Sequence, residues 1–280
     1  MTHSNAPDYD ARIRRAKHLA NEHPFAADVL SFYQQLAGFQ KTIYSEMRKS
    51  RGNSRGDSSG DPLRSELDCA PLMKHFPGFL IFLEDAAPQP IGEAAHQLSL
   101  EDAGAWTDSL THFWRVSGRR RHLPEEAYSE EMLKEFILRA FLQPHVELIA
   151  ERIPVPALDG RPRHCPRCES APLLGVLRPE GDGGKRNLVC SFCFYEWEFR
   201  RIFCAACGED AETKLPIYVA EQLSYIRIEA CDTCMTYLRT VDLTKSGHAV
   251  PIVDDLAAIP LSLWAEERGY TRLQPNLLGT

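Results

Sequence analysis

Long apolar runs are missing from this 280-residue sequence. The longest, such as GFLIFL at 78–83, falls far short of the roughly 20 residues that a helix needs to cross a bilayer, so no transmembrane segment is expected. A surplus of positive charge is missing as well. Lys and Arg number 32 against 39 Asp and Glu, a formal net charge of −7, which argues against a general polyanion binder because non-specific nucleic-acid affinity comes mainly from neutralising phosphates. There is no Walker loop, dinucleotide fingerprint or nucleophile elbow, and no acid–base pair, so a conventional active site is not visible. Arg14 and Arg15 suggest a twin-arginine export signal, but KHLANEHPF follows where such a signal carries a small-residue or apolar core. The reading is therefore a cytoplasmic protein. Cysteine is scarce over the first 155 residues, where Cys69 stands alone.

What is there divides at the stretch PVPALDGRP, 154–162, whose prolines and glycine mark a domain boundary. Residues 1–155 read as helical throughout. From 25 to 48, Val29, Phe32, Tyr33, Leu36, Phe39, Ile43 and Met47 recur at steps of three and four, the period of one buried helix face. Further helices are expected at 63–75, 92–116 and 129–152, the last with Ser129 as N-cap and Pro144 kinking or ending it. SRGNSRGDSSGDP, 50–62, lacks periodicity and reads as a mobile loop. Beyond the boundary, FYEWEFRRIF, YIRIEAC and TYLRTVDL alternate apolar and polar residues as half-buried strands do, and a last helix is expected at about 261–268, ended by Gly269. The fold class is α+β: an all-helical N-terminal domain, then four-cysteine β modules at 163–203 and 204–250, then a helix and tail at 251–280.

Eight of the nine cysteines form four CxxC pairs, Cys165/Cys168, Cys190/Cys193, Cys204/Cys207 and Cys231/Cys234. Within each half, the two pairs are separated by 21 or 23 residues, a spacing that reads as a tetrahedral four-sulfur metal site. Two residues between cysteines let a tight turn aim both sulfurs at one cation while backbone N–H groups donate to them. The order repeats, CSFCFYEWEF matching CDTCMTYLRTV, so the halves read as a duplication. Thiols in the reducing cytoplasm are ligands or reactive groups rather than disulfides. Four-sulfur tetrahedra suit zinc and iron alike, and a structural zinc pair and a redox-active or delivery site both remain open. A thioredoxin-like dithiol is disfavoured because no βαβ unit surrounds any CxxC. Other candidates have plainer readings. His164 is a solvated neighbour of Cys165, Cys69 a small buried hydrophobe, Arg119 to His122 a solvated basic loop, and Phe113, Trp106, Trp114 and Phe136 core. The segment 161–207 carries eight Lys or Arg against five Asp or Glu, which leaves a nucleic-acid-binding zinc ribbon as a rival, the least favoured one.

HCPRCESAP with GVLRP, LVCSFCFYEWEFRRIFCAACG, EACDTCMTYLRTVD and the tail DDLAAIPLSLWAEERGYTRLQPNLLG resemble the formate dehydrogenase accessory protein FdhE family, from about residue 163 to the C-terminus. The resemblance implies a cytoplasmic maturation factor rather than an enzyme. It would bind the catalytic subunit of respiratory formate dehydrogenase before export and hold rubredoxin-like iron, zinc being the alternative, on two sites made by the eight paired cysteines. Cys190, Cys193, Cys204 and Cys207 are then the candidates for any reactive role, such as redox or sulfur-transfer chemistry on the client. The sequence departs from the family where Glu169 and Met235 replace glycines, favoured there for positive φ, and where Glu198 replaces a common histidine.

Overall fold

The computed structural model describes residues 6–50, 69–116, 129–152, 160–181 and 183–277. The 50–62 loop beyond Ser50, the start of the helix expected at 63–75, the Arg119–His122 cluster and residues 154–159 of the boundary stretch lie outside them. Among the described residues the N-terminal half is helical: α1 (Tyr9–Glu22), α2 (Ala27–Ser50), α3 (Phe76–Ala86), α4 (Gln89–Ser99), α5 (Ala103–Val116) and α6 (Glu130–Arg152). The helix expected over 92–116 is two helices, broken between Ser99 and Ala103, where Asp102 accepts a hydrogen bond from the Ala105 N–H at 2.9 Å and starts a new one. GFLIFL lies in α3, and Ala70–His75 is a 3-10 turn leading into it.

The remaining helix, α6, organises this half. Every residue from Phe141 to Ala150 is buried, so this stretch has no solvent face and its polar side chains need partners. Gln143 donates to the Phe192 carbonyl, His145 meets the Met47 sulfur at 3.3 Å, and Glu147 pairs with Arg12 of α1. Pro144, expected to kink or end this helix, does not end it, because the helix runs on to Arg152. A proline lacks the N–H that would bond the carbonyl four residues back. Here that carbonyl, Ala140, accepts instead from Gln40 Nε2 of α2 at 2.8 Å, so a neighbouring helix supplies the missing donor.

The C-terminal half holds β1 (Pro172–Glu180), β2 (Gly183–Cys190), β3 (Glu196–Glu198), β4 (Ile217–Val219), β5 (Ile226–Cys231), β6 (Thr236–Asp242), α7 (Pro251–Ala257), α8 (Ile259–Glu266) and β7 (Thr271–Arg272). The strand expected in FYEWEFRRIF is short, yet its alternation persists in burial, with Trp197 and Phe199 inside. The two cysteine-bearing halves share one sheet, in the order β3-β2-β1-β6-β5-β4, with β7 beside β6. The seam is the parallel pair β1 and β6, where Gly175 faces Thr240. A Cβ on Gly175 would lie 2.3 Å from Thr240 Oγ1, so glycine is required for the halves to join. The last helix begins earlier than expected, as α7 and α8, and Gly269, at φ 81°, follows.

Two adjacent buried aspartates in α7 fasten the layers together. Asp254 accepts from Arg15 of α1 at 2.5 Å, from Tyr225 OH at 2.8 Å and from the Val250 N–H at 2.7 Å. Asp255 binds Arg239 of β6, Arg272 of β7 and Asn276 of the tail at 2.8 to 3.0 Å. Burial would raise the Asp255 carboxyl, but the Arg239 and Arg272 guanidiniums hold it below the usual carboxylate range. Burial, with Arg272 beside it, pushes Arg239 down to about 10. Asp255→Asn leaves two buried guanidiniums without a counter-charge. A loss of about 3–5 kcal/mol is expected for one partner removed from a buried pair, read as a lower urea midpoint at an unchanged slope.

Candidate metal centres

Each CxxC is a knuckle closed by its own backbone. In the first, the Glu169 N–H donates to the Cys165 carbonyl and the Cys165 N–H to the Ser170 carbonyl, both at 2.9 Å. In the third, Gly208 and Cys204 make the equivalent bonds, with Glu209 as the other acceptor. The residue after the second cysteine takes positive φ in all four knuckles: Glu169 at 59°, Phe194 at 52°, Gly208 at 89° and Met235 at 53°. Three of these are not glycine, so the turn is retained against the preference for it. Strand pairing brings the first two knuckles together, β2 carrying Cys190 back beside Pro172, while the Cys231–Thr236 pair closes the fourth knuckle and the Asp232 N–H donates to the Lys214 carbonyl in the chain that follows the third.

The result is two groups of four sulfurs, Cys165, Cys168, Cys190 and Cys193 in one and Cys204, Cys207, Cys231 and Cys234 in the other, each with all Sγ atoms within 4.8 Å. In the first, Cys168 lies 3.4 Å from Cys190 and 3.6 Å from Cys193, and Cys165 lies 3.5 Å from Cys193. In the second, Cys204 lies 3.8 Å from Cys234 and Cys207 3.7 Å from Cys231. A cation with bonds of about 2.3 Å to four tetrahedral sulfurs spaces them about 3.8 Å apart, so both sets fit one metal ion each. Backbone N–H groups point at the sulfurs, from Phe192 to Cys190 at 3.3 Å and from Ala206 to Cys204 at 3.4 Å. His164 is exposed, and neither it nor the buried Cys69 joins either group.

The donor set also calls for a cation on electrostatic grounds. Hydrogen bonds from Cys165, Cys190 and Cys193 hold the Cys168 thiol well below its ordinary range, while burial pushes Cys190 and Cys193 well above it. Burial likewise raises Cys204 and Cys231. Four thiolates at this spacing therefore ionise together only with a positive ion among them, and binding it releases protons. Bound metal would supply a fixed tetrahedral cross-link, and affinity should fall as pH falls. Arg139 of α6 adds a fixed cation. Burial lowers its pKa, while Glu135, Cys190 and Cys168 oppose the shift.

The first centre is built into the helical core. Phe192, between Cys190 and Cys193, is 2% exposed and packs on Phe113 and Trp114 of α5 with ring centroids 6.0 and 5.4 Å away. Arg139 lies over the Phe192 and Phe113 rings. All four cysteines of this centre share one apolar cluster with residues from α1 to α6. Phe113 and Trp114 were legible as core from their spacing. The anchors Phe192, Arg139, Asp254 and Asp255 were not, although a phenylalanine inside a CxxC turn and two aspartates opening an apolar run are both signals of buried partners. Phe192→Ala removes the plug, with an expected cost of about 3–5 kcal/mol. In urea titrations, helical circular dichroism and first-centre metal should then be lost together, at lower urea than in the unaltered chain.

No helix among the described residues is long and apolar enough to cross a membrane. The model of the FdhE central domain matches residues 164–201 and that of the FdhE C-terminal domain residues 202–278. An FdhE homolog of Aquifex aeolicus is 28% identical over 277 residues, spanning 95% of this chain and 94% of that protein. One of Pectobacterium carotovorum is 28% identical over 276 residues, spanning 96% of this chain and 86% of the relative. The crystal structure of the FdhE protein from Pseudomonas aeruginosa superposes with a TM-score of 0.66 at 25% identity, covering 98% of this chain and 96% of that one. With family models across the whole cysteine-bearing half and relatives aligned along nearly the full length, the chain belongs to the FdhE family.

Proposed function

We propose that this chain is an accessory factor in formate dehydrogenase biogenesis, binding the catalytic subunit in the cytoplasm before export and holding rubredoxin-type iron on its eight paired cysteines. The family membership supports the role, and one feature of the fold supports the binding. A cleft of about 710 Å³ lies between the helical half and the first cysteine module, walled by Arg12, Glu147 and Glu151 on one side and by Arg167, Tyr195 and Glu196 on the other. That volume is in the range of pockets built to enclose a ligand and leaves room for a short stretch of a client chain.

The charges of the cleft are mostly paired within the protein. Arg12 meets Glu147 at 2.7 Å, Arg178 meets Glu196 at 2.6 Å and Lys185 meets Glu198 at 2.6 Å. Arg167, at the third position of the first CxxC, differs. It is 4% exposed, lies over the Tyr195 ring at 4.4 Å, and its Nε and Nη1 have no hydrogen-bond partner among the described residues. A buried guanidinium with free donors favours a carboxylate, so an acidic side chain or chain end of the client is the group that fits. Paired cations and a net charge of −7 give little to a nucleic-acid rival.

Tagged protein recovered anaerobically from its own host should carry the formate dehydrogenase catalytic subunit, identified by mass spectrometry. Arg167→Met should lower that recovery several-fold while both metals stay bound. Cys190→Ser should lower it in step with lost metal and folding. Absence of the subunit from the recovered material, in cells where the enzyme is abundant, would overturn the proposal.

A further inference from the structure

The two centres share a ligand set but not an environment. Cys165, Cys168, Cys190 and Cys193 are 1%, 0%, 0% and 5% exposed and lie in the core shared with the helices. In the second centre only Cys204 and Cys231 are buried, Cys234 is half-buried, Cys207 is exposed, and none of the four belongs to an apolar cluster. The buried pair is reached from a small pocket of about 110 Å³, walled by Cys204, Cys231, Ile202 and Ile217. Ile202 and Ile217 are about half exposed, at 49% and 54%, and Met235, next to Cys234, is 41% exposed. One centre is enclosed by protein. The other opens on solvent through an apolar rim.

We propose that the second centre is a ligand-exchange site: an external thiolate reaches its metal through Cys207, while the metal of the first centre stays locked. A metal–sulfur bond forms to the incoming thiolate as the bond to Cys207 breaks, and Cys207 departs as a thiolate that takes the proton lost by the incoming thiol. No electron is transferred, so no oxidant or reductant is needed. At the second centre the entering group meets an exposed sulfur directly, whereas at the first it must wait for the helical core to open, and exchange then follows the rare local unfolding of that core. The entering partner is a thiol, soft enough to compete for a thiolate-bound metal. This inference rests on the metal-binding reading of the cysteines and not on the identity of any client.

The test is metal release from the full-length zinc-loaded protein to a colorimetric chelator, alone and with a small dithiol, together with timed iodoacetamide labelling mapped by mass spectrometry. One equivalent should leave at least ten-fold faster than the other, faster still with the dithiol, with Cys207 and Cys234 labelled in the fast phase and Cys165, Cys168, Cys190 and Cys193 only in the slow one. Cys207→Ser should remove the fast, dithiol-dependent phase and leave one slowly released equivalent and the helical circular dichroism unchanged. Release of both equivalents at one rate, or earlier labelling of the first-centre cysteines, would overturn the proposal while leaving the client reading untouched. Recovery of no client would overturn that reading and leave this one standing.

Discussion

The first four-cysteine centre lies where the helical half meets the sheet, and its burial makes metal binding and core packing one event. Phe192 can enter the space beside Phe113 and Trp114 only if the second knuckle is folded, and the knuckle holds its shape when its sulfurs converge on a cation. The helix that receives it, α6, is buried on all sides from Phe141 to Ala150. It keeps its polar groups satisfied partly through that knuckle, since Gln143 bonds the Phe192 carbonyl. Loss of the cation would therefore reach the helices. In a free-standing metal ribbon the same loss would be confined to the ribbon.

A second constraint works from the opposite end of the chain. Asp254 and Asp255, consecutive in α7, have side chains directed to different layers, one to Arg15 of α1 and the other to Arg239, Arg272 and Asn276. Helices, sheet and tail are thus tied at a single turn of α7. Together with the Gly175–Thr240 contact that joins the two duplicated halves, this fixes how the two metal centres are placed. Equivalent knuckles then end up in unequal surroundings, because the first centre shares its apolar cluster with helices α1 to α6 and the second does not.

Much of this was legible in residue types. The spacing of the cysteines grouped them into two sets of four, and the step of three and four residues located α2 and α6, while the single helix expected over 92–116 is α4 and α5. The alternation in YIRIEAC and TYLRTVDL gave β5 and β6. What could not be read depended on partners far away in sequence. Pro144 argued for a kink or an end, yet the helix runs on, and Gln40, about a hundred residues before Ala140, supplies the donor that the proline lacks. Glu169 and Met235 departed from the glycines that positive φ favours, yet the knuckles keep that conformation, since ligand geometry decides it more strongly than a local preference worth roughly 1 kcal/mol. The inequality of the two centres is invisible in a repeat whose motifs match, because burial is set by which centre meets the N-terminal helices.

The central claim, that the first centre joins the helical half to the sheet, is tested most directly by hydrogen exchange of α6 and α5 amides before and after metal is stripped from that centre. The account predicts that removing the more slowly released equivalent sharply lowers protection of α6 around Gln143 and of α5 around Phe113, while removing the faster one leaves both unchanged. Undiminished protection of those helices in the fully stripped protein would contradict it.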